Sequence, residues 1–228
     1  YDGVINELSV GDVTALTLYM AALERPVSTV ELAEIGIIDL TDVQSAVIAA
    51  GKHLFTTAGC SNCHVPTMAV ANPIFSEPSP VAGYADILFP DGSNPGSHGL
   101  GPETAIAFDM RLYPPNNQVL LKDGGVYHLG ALETDAKGKG IARWYSDFKR
   151  HDMGPALSDP SDPLGMGASV FLTRSLAGVG STGPWLHDGR ATTLEEAIYA
   201  HGGEAAVSRN AYAAMSDADA ARIVTFLE

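Results

Sequence analysis

The run Cys60-Ser61-Asn62-Cys63-His64 constrains this chain more than any other stretch of it. It holds the only two cysteines among 228 residues. They are too few for a disulfide scaffold and too close together for a bridge between them to close a useful loop. Their spacing is that of covalent c-type haem attachment. Two thiols three positions apart each form a thioether with one vinyl group of the same porphyrin, and the next residue is carried under the iron, where its imidazole ligates it. With two Cys and seven His scattered at random, this arrangement would arise roughly 3 times in 10,000. A thioredoxin-like pair wants a βαβ context, which the flanks Lys52-His53-Leu54-Phe55 and Val65-Pro66-Thr67 do not offer. A structural zinc site wants a second ligand pair at short spacing, and there is no third Cys. One covalent haem c is therefore expected, on Cys60 and Cys63 with His64 as proximal ligand; zinc and a bare dithiol stay as rivals.

Composition narrows the partners. Residues are 46% apolar and 18% charged, the balance of a folded globule. Thirteen Lys and Arg stand against 27 Asp and Glu, a net charge of −14, so phosphate backbones and anionic membrane surfaces are poor partners. No apolar run approaches the roughly 20 residues that span a bilayer. Neither nucleic acid nor a transmembrane segment is expected.

Capping patterns place four helices. One starts at Ser9-x-x-Asp12 and runs through Leu16, Tyr19, Met20 and Leu23 to Arg25-Pro26. A second starts near Thr41-x-x-Gln44, puts Val43, Val47, Ala50 and Leu54 on one face and delivers the chain to Cys60. Two more start at Thr192-x-x-Glu195 and Ser216-x-x-Asp219. Residues 66–115 are dense in Pro, Gly, Asn and Ser and read as loop wrapping the cofactor, and 122–127 read as a hairpin. The basic block Lys137, Lys139, Arg143, Lys149 and Arg150 reads as a solvated helix face, with a docking or propionate-facing patch as the sharper alternative. The fold class expected is mainly α, a cytochrome c-like haem domain with long irregular loops and room for a short hairpin. Residues 1–40 read as the tail of a preceding, absent domain plus linker, and 41–228 as the haem domain.

The second axial ligand decides what such a haem does, because an electron carrier is six-coordinate while peroxide or oxygen chemistry needs an open position. Beyond the attachment loop the candidates are Met68, Met110, Met153, Met166 and Met215, and His98, His128, His151, His187 and His201. Met153 in His151-Asp152-Met153-Gly154-Pro155 is the first choice, since Gly and Pro fix a turn able to hold a thioether over the ring. Met166 in Gly165-Met166-Gly167 is second. Against both stands the commoner use of Met as core filler.

Several blocks together carry a resemblance: Gly51-Lys52-His53-Leu54-Phe55 into the attachment motif, Tyr145-Ser146-Asp147 leading to His151-Asp152-Met153-Gly154-Pro155, Leu186-His187-Asp188-Gly189-Arg190-Ala191, and Ala197-Ile198-Tyr199-Ala200-His201-Gly202-Gly203-Glu204-Ala205. In that order they resemble the C-terminal half of the dihaem oxidoreductases related to bacterial dihaem cytochrome c peroxidases, above all the branch labelled thiol oxidoreductase. Asp2-Gly3-Val4 and Asn6-Glu7-Leu8 with Tyr19 resemble the end of that family's N-terminal haem domain. The resemblance implies Cys60 and Cys63 as thioether cysteines, His64 as proximal ligand and Met153 as sixth ligand, with Met166 and His151 as alternatives. It puts His187 and Arg190 beside the haem, Arg190 facing a propionate; a loop-ordering or helix-capping role is the bland alternative for His187 and His201.

Family members carry two C-x-x-C-H sites and this sequence has one, so the resemblance implies an electron-transfer half with a Met-raised potential, feeding a second haem domain. Trp144, Tyr145 and Trp185 are candidate conduits, each more often plain core. A small donor with a basic rim suits the acidic surface. Covalent haem attachment follows export, so a periplasmic or other extracytoplasmic location is expected. The alternatives are a self-contained haem peroxidase or thiol oxidoreductase, and a haem or zinc sensing module.

Overall fold

The computed structural model describes residues 8–23, 25–81, 92–99, 105–112, 118–121, 123–128, 132–162 and 165–228. Of these, 39% are helical and 14% lie in strands forming several sheets. The chain is thus mixed α/β, which overturns the expectation of a mainly α class. The reason lies in the Pro- and Gly-rich stretches. Their extended pieces still have backbone N–H and C=O groups to satisfy, and they do so by pairing with one another. Each strand is only two to four residues long, too short for an alternating pattern to show in the sequence. Residues 2–4, 6 and 7 of the resemblance, together with Pro90, Asp91, Pro115 and Lys122, lie outside the described residues. No helix among the described residues is long and apolar enough to cross a membrane.

Contacts divide the chain into two compact units, Tyr1–Val27 with Ala69–Ala142, and Ser28–Met68 with Arg143–Glu228. The first unit holds α1 (Val10–Ala21), which opens at the expected capping box: the Ser9 side chain accepts from the Asp12 N–H, and the Asp12 carboxylate accepts from the Ser9 N–H. Its strands form small sheets. β1 (Met68–Val70) and β6 (Glu133–Thr134) flank β7 (Gly140–Ala142), β2 (Ile74–Glu77) pairs β3 (Ile106–Asp109), and β4 (Gln118–Leu120) pairs β5 (Val126–His128). The β4–β5 pair is the expected hairpin, turning through Gly124 at φ +85°. Basic residues 137–150 lie on no helix: Lys137 and Lys139 sit in the β6–β7 turn, their N–H groups bonded to the Asp135 carboxylate.

The second unit carries the attachment motif. Its helices are α2 (Thr29–Glu34), α3 (Asp42–Thr57), α4 (Leu194–Ala200), α5 (Ala206–Ala213) and α6 (Asp217–Leu227). Thr41 with Gln44 caps α3, and Ser216 caps α6, as the sequence predicts; the α4 box is Thr193 with Glu196, one residue later than expected. β8 (Arg150–Asp152) pairs antiparallel with β9 (Val170–Leu172). Phe55 of α3, Tyr212 of α5 and Ile223 of α6 form the buried centre, joined by Leu54, Cys60, Tyr145, Ile198 and Phe226. Burying side chains of this size stabilises by about 1.5–3 kcal/mol each. The α3–α6 crossing is close enough that a Cβ added at Gly51 would lie 2.0 Å from the Arg222 carbonyl oxygen, so only glycine fits there. That crossing fixes the end of α3, and with it Cys60.

Candidate functional site

Helix α3 ends at Thr57, and Gly59 takes the left-handed conformation at φ +85° that lets the chain turn off the helix. Cys60–Asn62 form a single 3-10 turn, and the His64 N–H bonds back to the Cys60 carbonyl at 3.0 Å. Both thiols and the imidazole are thereby held on one short loop. Both cysteines are free and half-buried. Burial pushes the Cys60 thiol up to about 11, and burial together with the charges of Asp147 and Glu204 raises Cys63. A redox-active dithiol or a zinc thiolate wants a lowered thiol pKa, the reverse of this. Among the described residues no group of three or more His, Cys, Asp and Glu is placed to hold a metal ion, so the zinc reading finds no support.

His64 is oriented by backbone. Its Nδ1 lies 3.0 Å from the Tyr145 carbonyl oxygen, which only accepts, so Nδ1 carries the proton. Burial lowers the His64 pKa, outweighing that hydrogen bond, and the ring is neutral near pH 7. Nε2, without a partner among the described residues, presents its lone pair. The arrangement fits a metal-ligating histidine whose other nitrogen is fixed by a carbonyl. Tyr145 and Phe148 have φ of 51° and 54°, unusual for side chains of their size. Ser146 between them over-determines the loop: it is fully buried, its Oγ donates to the Thr173 carbonyl at 2.8 Å and accepts from the Phe148 N–H at 2.9 Å, and its N–H reaches the Val65 carbonyl at 3.1 Å. Two thiols and a backbone-fixed imidazole on one loop are the donor set a c-type haem requires.

His201 follows α4. Its Nδ1 lies 2.7 Å from the Ala197 carbonyl, burial lowers its pKa, and its ring centroid is 6.4 Å from that of His64 with 54° between the planes. The bland capping role is thus met by one nitrogen only. His151 is used on both sides: Nε2 lies 2.9 Å from Asp147 and Nδ1 2.8 Å from Glu204. Hydrogen bonds to Glu204 and then Asp147 raise its pKa. Asp147, although burial opposes its charge, is held below the usual carboxylate range by the Lys149 N–H and His151. This carboxylate–imidazolium–carboxylate bridge was not foreseen, although Asp147 and His151 at a four-residue spacing were its signal.

Met153 is half-buried just past β8, its N–H bonded to the Ser169 carbonyl at 2.8 Å. The next residue, Gly154, has φ +81°, and a Cβ there would lie 2.8 Å from the Gly203 nitrogen; one at Gly202 would lie 2.7 Å from the Met153 carbonyl oxygen. The Met153 turn therefore packs backbone to backbone against the residues that follow His201. Met166 is 47% exposed. The His187 ring stacks on Phe171 at 4.7 Å, with Nε2 3.9 Å from Asp188 and 4.0 Å from Asp159. Arg190 is engaged by protein: Nε donates to Asp188 at 2.6 Å and Nη1 to the Ala156 carbonyl at 2.7 Å, tying its loop to the turn beyond Met153. Of the candidate conduits, Tyr145 packs edge-on to Phe55 and Phe226, and Trp185 Nε1 donates to the Val179 carbonyl at 2.8 Å.

Residues 124–228 match the family model described as di-haem oxidoreductase, putative peroxidase. His151, Met153, His187, Arg190 and His201 fall inside the matched residues, and Cys60, Cys63 and His64 outside them. Neither a curated protein nor a solved structure matches the chain.

Proposed function

We propose that this chain, whose residues 124–228 match the di-haem oxidoreductase family model, carries one covalent haem c and relays electrons between a small redox protein and a second haem. The observation that supports this most is the state of His64: neutral, its Nδ1–H committed to the Tyr145 carbonyl, its Nε2 uncommitted, and sited directly after two protonated thiols. Haem, when bound, supplies a one-electron couple.

The chain's own residues do the rest. Cys60 and Cys63 tether the group, and the α3–α6 crossing at Gly51 fixes where that tether starts. The Tyr145 carbonyl sets the ring angle of His64 and makes its Nε2 a better donor. Phe55, Phe226 and the Tyr145 ring exclude water from the proximal side. The net charge of −14 steers a partner with a basic rim, with association weakening as salt rises. A second haem domain follows from the di-haem character of the family and the single attachment motif here. Maturation after export puts the site in the periplasm or on another extracytoplasmic face.

The test is intact-mass measurement and a pyridine haemochrome assay on the full chain, produced in a host that matures c-type cytochromes. One added macrocycle is expected, reduced in C60S and in C63S and absent in the double variant. No added mass in the unsubstituted chain overturns the reading.

A further inference from the structure

Resting on the haem held by Cys60, Cys63 and His64, the geometry points to His201, and not Met153, as the second axial ligand of the iron. His64 and His201 are built alike. Each ring gives its Nδ1 to a backbone carbonyl, Tyr145 in one case and Ala197 in the other, at 3.0 and 2.7 Å. Each ring is half-buried, and each leaves Nε2 without a partner among the described residues. A carbonyl on the far nitrogen is what fixes the tautomer and angle of a ligating imidazole.

The spacing agrees. A metal–imidazole bond is about 2.0–2.1 Å, and the ring centroid lies about 1.1 Å behind the ligating nitrogen, so two imidazoles on opposite sides of one metal have centroids ~6.3 Å apart. The observed separation is 6.4 Å. Rotation about a shared ligand axis permits any angle between the ring planes, the observed 54° included.

The competitors are otherwise engaged. Both nitrogens of His151 face carboxylates. His187 is stacked on Phe171 beside two carboxylates, and Met166 stands in solvent. The Met153 turn interlocks, together with Gly154, with Gly202 and Gly203, and so clamps the backbone immediately after His201. The backbone of the Met153 turn thus positions His201, whatever side chain position 153 carries. An imidazole in place of a thioether forgoes the rise in reduction potential that Met ligation gives, so the haem is a low-potential carrier.

The experiment uses the full chain with its haem attached, verified by mass. The oxidised unsubstituted protein is expected to be low-spin by electron paramagnetic resonance, with the near-infrared charge-transfer band of two imidazoles and no far-red sulfur-to-iron band. H201A is expected to turn high-spin and return to low-spin on adding free imidazole, whereas M153A keeps the parent spectrum. H201M is expected to gain the sulfur band. A sulfur band in the unsubstituted protein that M153A removes overturns the assignment, as does an unaltered low-spin H201A. The parent spectrum decides even where a variant fails to fold. Absence of the macrocycle from the parent overturns the haem reading itself, and this assignment with it; its presence alongside a sulfur band overturns this assignment alone.

Discussion

Replacing Gly51 with Ala should damage the helix crossing that carries the attachment loop. The new Cβ would lie 2.0 Å from the Arg222 carbonyl oxygen and 2.8 Å from both the Arg222 carbonyl carbon and the Phe226 Cβ. Ordinary Cβ contacts begin near 3.4 Å, so α3 and α6 must part by about 1.4 Å, and no flexible side-chain tip absorbs the strain. Overpacking of this kind costs about 1–3 kcal/mol, and lifting Ile223 and Phe226 off Phe55 forfeits a further ~1 kcal/mol of their burial. Alanine's better helix propensity returns about 1 kcal/mol. The net loss is about 1–3 kcal/mol, a fall in melting temperature of roughly 2–12 °C for a chain of this size. Thermal unfolding followed by circular dichroism reads this directly. G11A is the control: the nearest atom to its Cβ would be Ser9 Oγ at 3.6 Å, and no loss is expected. A G51A protein that melts at or above the parent would refute the backbone-contact account of the crossing.

Tyr212 is 1% exposed and its hydroxyl has no hydrogen-bond partner among the described residues, so Y212F should stabilise by up to about 1–3 kcal/mol; urea midpoints below the parent's would mean the hydroxyl is satisfied. S146A strips a buried acceptor from Phe148 and a donor from Thr173, and should cost about 1–3 kcal/mol; an unchanged unfolding midpoint would contradict the anchoring role. His151 has a folded pKa raised above 6.5, so its contribution to stability is full below that value and fades as pH rises through the raised one. Asp147 and Glu204 have lowered pKa values, so theirs is full above the ordinary carboxylate range and fades as pH falls through the lowered ones. The bridge is thus strongest in mildly acidic solution, and H151Q should remove the decline between there and alkaline pH; identical pH profiles for parent and variant would count against the bridge.

Helix starts were legible because caps are local: Ser9, Thr41 and Ser216 each state their chemistry within four residues. Strands such as Arg150–Asp152 were not, since pairing with Val170–Leu172 depends on a partner that a two- or three-residue pattern does not announce. The same contrast divides the site. Cys60, Cys63 and His64 are adjacent in sequence and readable as a unit. His201 was named among the candidates, but what singles it out is a 6.4 Å approach to a ring 137 positions away. Met153 draws attention through its Gly-Pro turn, and to this the structure adds a glycine interlock with 202 and 203 that no local pattern announces. The strain at Tyr145 leaves no trace in sequence, because tyrosine is a poor choice for φ 51° on local grounds alone.

A sulfur atom attacks an oxidant or another sulfur only as its anion. With its proton held up to about 11, Cys60 exposes that anion in about one molecule in 10,000 at neutral pH. With both thiols raised, the protein is expected to be slow to seal Cys60 to Cys63, so that the pair stays reduced.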